Sequence, residues 1–362
     1  LGSLRVQGTL STLGQAAGTA AALCLRSDLT PRELGQQRIG QLQQTLLKHD
    51  QYIPELKNED PEDLARTATV TASSTTEVDV FTRDQVRHRE AHPLNMPRAV
   101  MIPRGVHERL QSVSLLLYSE RTAPVEVTVH VREAAQPGDF SSRQDLTTAT
   151  TQVAPGRLAW VTFPIDCAVQ QPYVWFWLPK TEGVSWRLMQ TAPPATCRAY
   201  GGDGANRDWT VVLGQHYACV TDPPTAIACD YRPENVIDGV SRIVGTTTHM
   251  WASDPARSLP QWIELAFPQP AQVNTVYLTF DTDMNTRFHE EPLVRQCVKD
   301  YRLEYHDGSQ WHELAQVTDN YQRRRTHRFP AVEVHKLRVT VEATGGDKSA
   351  RIFEIQAYEE PQ

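Results

Sequence analysis

Two segments hold the side chains best suited to gripping a charged or polar ligand. DMNTRFHEE, Asp283 to Glu291, carries Arg287 and His289, and DNYQRRRTHRF, Asp319 to Phe329, carries Asn320, Arg323, Arg324 and Arg325. Guanidinium forks recognise carboxylates, phosphates or an acidic partner surface; on a solvated loop the same residues need recognise nothing. Other chemistry finds no support in spacing. Twelve histidines and many serines and aspartates are present, but no G-x-S-x-G fixes a nucleophile among them, and no catalytic residue is assigned. Glu290-Glu291 and Glu359-Glu360 are sequence neighbours, so on a strand each pair would point to opposite faces as solvated charge. The six cysteines show no CxxC spacing, so neither a thioredoxin-like nor a zinc site is indicated, and free thiols or a bridge stay open. No G-x-G-x-x-G follows a strand and opens a helix; YGGDG, Tyr200 to Gly204, lacks that spacing.

Three kinds of element must position these residues. Residues 1–58 read as two helices. Gly14 with Gly18, and Ala17 with Ala21, put small residues four apart on one helix face, and Gly8-Thr9 precede that helix with unpaired N–H groups at its start. Thr30-Pro31-Arg32-Glu33 is a capping box, followed by an apolar stripe of Leu34, Ile39, Leu42 and Leu46. Two helices without strands enclose no core, so this region has to pack on something else. KNEDPEDLA, Lys57 to Ala65, reads as an acidic linker. Beyond it the apolar period falls to two, in TATVTASS, RLQSVSLLLYS, VEVTVHVRE, LAWVTFPI, YVWFWLP and VSWRLMQ, the signature of a β-sandwich over residues 62–222. CVTDPP breaks the pattern, and residues 223–362 repeat the architecture with QWIELAF, VNTVYLTFD, KLRVTVEAT and a hairpin at HDGSQ. The fold class is therefore mostly β, two tandem sandwiches behind a short helical segment.

At 362 residues, 40% hydrophobic and 22% charged, the chain has the composition of an ordinary globular protein. Its net charge of −7 argues against nucleic acid or an anionic membrane as partner. The run Leu13 to Leu25 carries Gln15 and is too short to span a bilayer; its Gly/Ala-rich middle also makes a poor signal peptide.

The residues NVIDG (Asn235 to Gly239), Trp251, QWIELAF, VYLTF, YRLEY, LRVTV and FEIQAY resemble the discoidin, or coagulation factor 5/8 type C, domain, a fold shared with many bacterial carbohydrate-binding modules. ARTATVTASS resembles the first strand of that family, and the rest of 62–222 is similar to a jelly-roll sandwich in pattern only. RVQGTLSTLGQAAGTAAALC with TPRELGQQRIGQLQQTLLKHDQYIP resembles the C-terminal end of a bacterial family of FAD-dependent oxidoreductases. That resemblance implies a severed piece of a larger enzyme acting on a carbohydrate or polyol, periplasmic or secreted. Its FAD would be held mostly by a flavoprotein domain in cis or on a separate chain, with Gly8, Thr9, Leu10 and Gly14 touching the cofactor. The discoidin resemblance implies a structural calcium at Asp238 and Glu354 and core or rim packing for Trp251 and Trp262. Ligand contacts are expected instead from the loop residues Arg287, His289, Asn320 and Arg324, in loops longer and more basic than a plain sugar-binding module would need. A carbohydrate is the implied ligand. The competing reading is a module pair that binds or braces and does no chemistry.

Overall fold

The computed structural model describes residues 7–76, 78–81, 83, 88–189, 196–202, 208–213, 215–228, 230–244, 247–284 and 294–361. It opens with three helices: α1 (Gln7–Ser27), α2 (Pro31–Gln37) and α3 (Ile39–Lys48). The capping box forms as read, the Thr30 amide donating to Glu33 Oε2 at 2.8 Å and the Glu33 amide to Thr30 Oγ1. The expected second helix is split at Arg38, whose φ of −137° leaves the helical region. The split divides the apolar stripe: Leu34 and Leu46 are buried, whereas Ile39 turns to solvent. Among the described residues the helices gather one small cluster of their own, Leu23, Cys24 and Leu34, with Ala20, Leu29 and Leu42 packed against it. Among the described residues no helix is long and apolar enough to cross a membrane.

The first sandwich faces a five-stranded sheet against a six-stranded one. The former runs Cys219–Asp222, Arg109–Ser119, Val184–Met189, His88–Pro93, with Ala159–Ala168 also on Arg109–Ser119. The latter runs Thr210–Leu213, Cys197–Tyr200, Arg98–Pro103, Tyr173–Leu178, Val125–Ala134, Thr147–Val153. Val100, Val113, Val129, Phe163, Phe176 and Trp186 are among the alternate residues that meet between them. CVTDPP, expected as a break, supplies the strand Cys219–Asp222; its prolines fall just after the ladder ends, where a missing N–H costs nothing.

The second sandwich is built on two long antiparallel strands, Gln261–Phe280 and Arg324–Thr344. Their register shifts between Ala266 and Ala271, so the two halves of Gln261–Phe280 have different neighbours. The later half pairs with Arg351–Tyr358. The earlier half pairs with Thr69–Ala72, the strand expected to open the first sandwich. Val70, Ala65 and Ala68 enter the second core for the same reason. The acidic linker is not loose either: Asn58 donates its amide to Gly239 O at 2.8 Å, and buried Asp63 accepts from the amides of Ala65 and Ala357. The chain thus begins the second sandwich, leaves it, builds the first, and returns. The exit and return run side by side as the two-stranded ribbon Val78–Val80 with Ala226–Ala228.

Candidate functional site

The helices meet the second sandwich at a buried ionic seam. Asp50, just past α3, adopts a left-handed φ of 64° that aims its carboxylate at two arginines. Its Oδ1 lies 2.7 Å from Arg242 Nη1 and its Oδ2 2.9 Å from Arg323 Nε, while Ser241 Oγ donates at 2.7 Å. Burial works to raise this carboxyl, but Arg323 and Arg242 outweigh it and hold it below the ordinary carboxylate value. Two residues earlier, Lys48 lies 3.5 Å over the Tyr358 ring and 3.1 Å from Glu360 Oε1. The adjacent Arg324 donates to the Lys48 carbonyl and lies 4.5 Å over Tyr277. Gly239, the last residue of NVIDG, has φ +85°, and a Cβ there would fall 2.3 Å from the Asn58 carbonyl. That motif therefore seats the connecting segment against the sandwich.

The seam places several expected ligand residues in structural work. Arg324 is engaged with Lys48 and Tyr277. Asn320 is buried, donating to Val298 O at 2.7 Å and to Gln322 O at 3.1 Å, which staples its own loop. Arg287 and His289 lie outside the described residues. Glu360, expected as solvated charge, is half-buried on Lys48 and the Tyr277 hydroxyl. Trp251 is fully buried, its Nε1 donating to Ser74 O, and Trp262 packs under Arg338.

The metal expectation finds little to hold an ion. Asp238 is occupied at both oxygens, by His249 Nδ1 at 2.7 Å and the Val240 amide at 2.8 Å. Glu354 is buried among charges; burial, then the nearby Asp63, pushes its carboxyl up to about 7 against the pull of Arg324. Among the described residues no group of three or more His, Cys, Asp or Glu could hold a metal.

The flavin-facing expectation falls on a bare surface. α1 begins at Gln7, so Gly8 and Thr9 lie within its first turn rather than before it. Among the described residues nothing stands within 4 Å of where a Cβ would sit on Gly8, Gly14 or Gly18. Leu10, Leu13 and Leu25 on the same helix are 53%, 52% and 87% exposed. The five described cysteines are free and buried.

Spacing gave no hint of Asp50, Ser241 or Arg242, because they meet across about two hundred residues. The sign that was available is the run of three arginines at 323–325 beside a strand, a density of charge that a sandwich edge holds only when something pairs it.

Comparison with known proteins follows the same division of the chain. A family model described as FAD dependent oxidoreductase matches residues 1–46. One described as a NedA-like, galactose-binding domain of the F5/F8 type C class matches residues 235–339. No curated protein matches the chain. Similar solved structures include the family 32 carbohydrate-binding module of Clostridium perfringens NanJ in complex with galactose, at 18% identity over 36% of this chain and 86% of that one, TM-score 0.29. Another is the family 32 module of Streptococcus pneumoniae EndoD, at 17% identity over 36% and 86%, TM-score 0.30. A third is chitosan-binding module 1 of a Paenibacillus sp. IK-5 chitosanase/glucanase, at 19% identity over 36% and 86%, TM-score 0.29. The chain therefore joins a segment matched to FAD dependent oxidoreductases to a mostly β body whose second sandwich matches the F5/F8 type C domain.

Proposed function

We propose that this chain is the C-terminal portion of an FAD-dependent oxidoreductase acting on a carbohydrate or polyol, with its sandwiches bracing the enzyme and binding sugar. One observation carries the reading. The segment matched to the oxidoreductase family is tied to the sandwich just past its end, through Lys48 and Asp50, yet α1 leaves Leu10, Leu13 and Leu25 uncovered. A helix held firmly at one end and bare along an apolar face is the surface that a flavoprotein body, in cis or on a separate chain, would bury.

The residues present fit that role. Gly8, Thr9 and Leu10 stand in the first described turn of α1, where their backbone would meet an oxygen of the flavin. Gly14 leaves room for close backbone approach. When bound, the flavin supplies the redox chemistry, and this chain contributes positioning and exclusion of water. Action outside the cytoplasm belongs to the same proposal. Calcium has less behind it, and a melting temperature unmoved by excess chelator would remove it.

The test is a Leu13→Glu change in the enzyme that includes the flavoprotein body. The expected result is loss of bound flavin with the sandwiches still folded. Full flavin retention would overturn the assignment of this face. The competing reading, a module pair without chemistry, gains if no flavoprotein body associates with α1.

A further inference from the structure

The core of the first sandwich changes character at its open edge, where His88–Pro93 and Thr210–Leu213 are the outer strands of the two facing sheets. Arg98 and Arg198 sit on neighbouring strands of one sheet, in the register Tyr200↔Arg98 and Arg198↔Val100, and both share the inward face of Val100. Opposite them stand His92 and Tyr217, the latter stacked on Trp186 at 4.7 Å. Each of the two arginine residues is only 8% exposed.

The hydrogen bonds described for these two cations end on neutral groups. Arg98 donates to Pro93 O at 2.8 Å, to the Tyr217 hydroxyl at 2.9 Å and to Asn95 Oδ1 at 3.4 Å, with His92 Nδ1 at 3.5 Å. Arg198 donates through Nε to Gln215 Oε1 at 2.8 Å and lies over the rings of Tyr200 and Tyr217. Among the described residues neither arginine forms an ion pair. Glu90 approaches His92 Nε2 at 3.7 Å but is itself exposed. Two like charges held together away from water are costly unless an opposite charge joins them.

We propose that Arg98, Arg198 and Tyr217 form a binding site for the carboxylate of a small acidic ligand, a sugar acid being the class that suits the half-buried Tyr200 beside it. A planar guanidinium fork matches a carboxylate in two parallel hydrogen bonds. Arg198 also reaches the Tyr217 hydroxyl, and the guanidinium N–H groups left over from Gln215 and Tyr217 would supply that fork. The site lies on the first sandwich, so it stands independently of the flavoprotein reading.

Calorimetric titration of the 362-residue chain with galacturonate and glucuronate tests it, with galactose, glucose and inorganic sulfate as separate arms. The expected result is saturable binding of a uronate, no binding of the neutral sugar at the same concentration, and at least tenfold weakening in R198Q. R198K, which keeps the charge and loses the fork, should fall between. Should R198Q fail to fold, the wild-type titrations decide alone. No binding of either uronate overturns the proposal. Binding of sulfate without uronate overturns the carboxylate assignment, and equal binding by uronate and neutral sugar, or by a folded R198Q, overturns the role of the arginines.

Discussion

Replacing Asp50 with Asn removes one charge and little else, because Asn tolerates the left-handed φ of 64° that Asp50 adopts. In the native seam this carboxylate faces Arg242 and Arg323, with side chains 10%, 18% and 13% exposed respectively. The variant leaves both guanidiniums without their counter-charge in a place that water reaches poorly. Breaking a buried pair by removing one partner costs about 3–5 kcal/mol; an Asn oxygen can still accept one hydrogen bond, so a loss of about 2–4 kcal/mol is expected. The loss should localise: α1 to α3 detach while the sandwiches stay folded. Denaturation followed with limited proteolysis reads both, the expected pattern being early cleavage near residues 48–58 and an unchanged β core. The pH dependence has a defined sign. Asp50 has its carboxyl held low in the folded state, so its contribution is present above the unfolded value near 4 and is lost as pH falls through the folded one. Wild type and D50N should therefore converge in acid. A variant within about 0.5 kcal/mol of wild type at neutral pH, the scatter of ordinary surface changes, would show that the seam does not hold the helices.

Two further outcomes follow from single residues. His216 is fully buried, contacts Met189 Sδ at 3.0 Å, and has its imidazole pushed down to about 3 by burial, so stability should be full above pH 6.5 and decline toward pH 3. H216F should flatten that decline, read as melting temperature against pH; parallel slopes would contradict it. G239A must place a methyl 2.3 Å from the Asn58 carbonyl at φ +85°, and should cost about 2–3 kcal/mol in chemical denaturation; a neutral result would mean that the 58–67 segment is not seated as described.

Local chemistry was legible from the residues: the Thr30 cap, the HDGSQ hairpin, and the unbroken apolar run that makes YVWFWL a strand buried on both faces. Sheet membership was not. TVTA reads the same whichever sheet it joins, and its place beside Ile263–Ala266 is fixed by a partner nearly two hundred residues away. The acidic stretch after Lys57 reads as a linker by composition, yet Asp63 caps a buried turn and Asn58 docks on Gly239. The arginine loop read either as a grip for a carboxylate, a phosphate or an acidic surface or as plain solvated charge; what Arg323 meets is Asp50 of the same chain. Pairings of this kind depend on three-dimensional closure, which no short-range pattern encodes.

The central claim, that this chain carries one edge of a flavin enzyme whose cofactor is held chiefly elsewhere, is tested most directly by visible absorbance. The spectrum should be taken on the purified 362-residue chain and on the same chain joined to the flavoprotein body. The expected result is a colourless 362-residue protein and a yellow longer one with a full complement of FAD. Stoichiometric FAD on the 362 residues alone, or none on the longer protein, would contradict it.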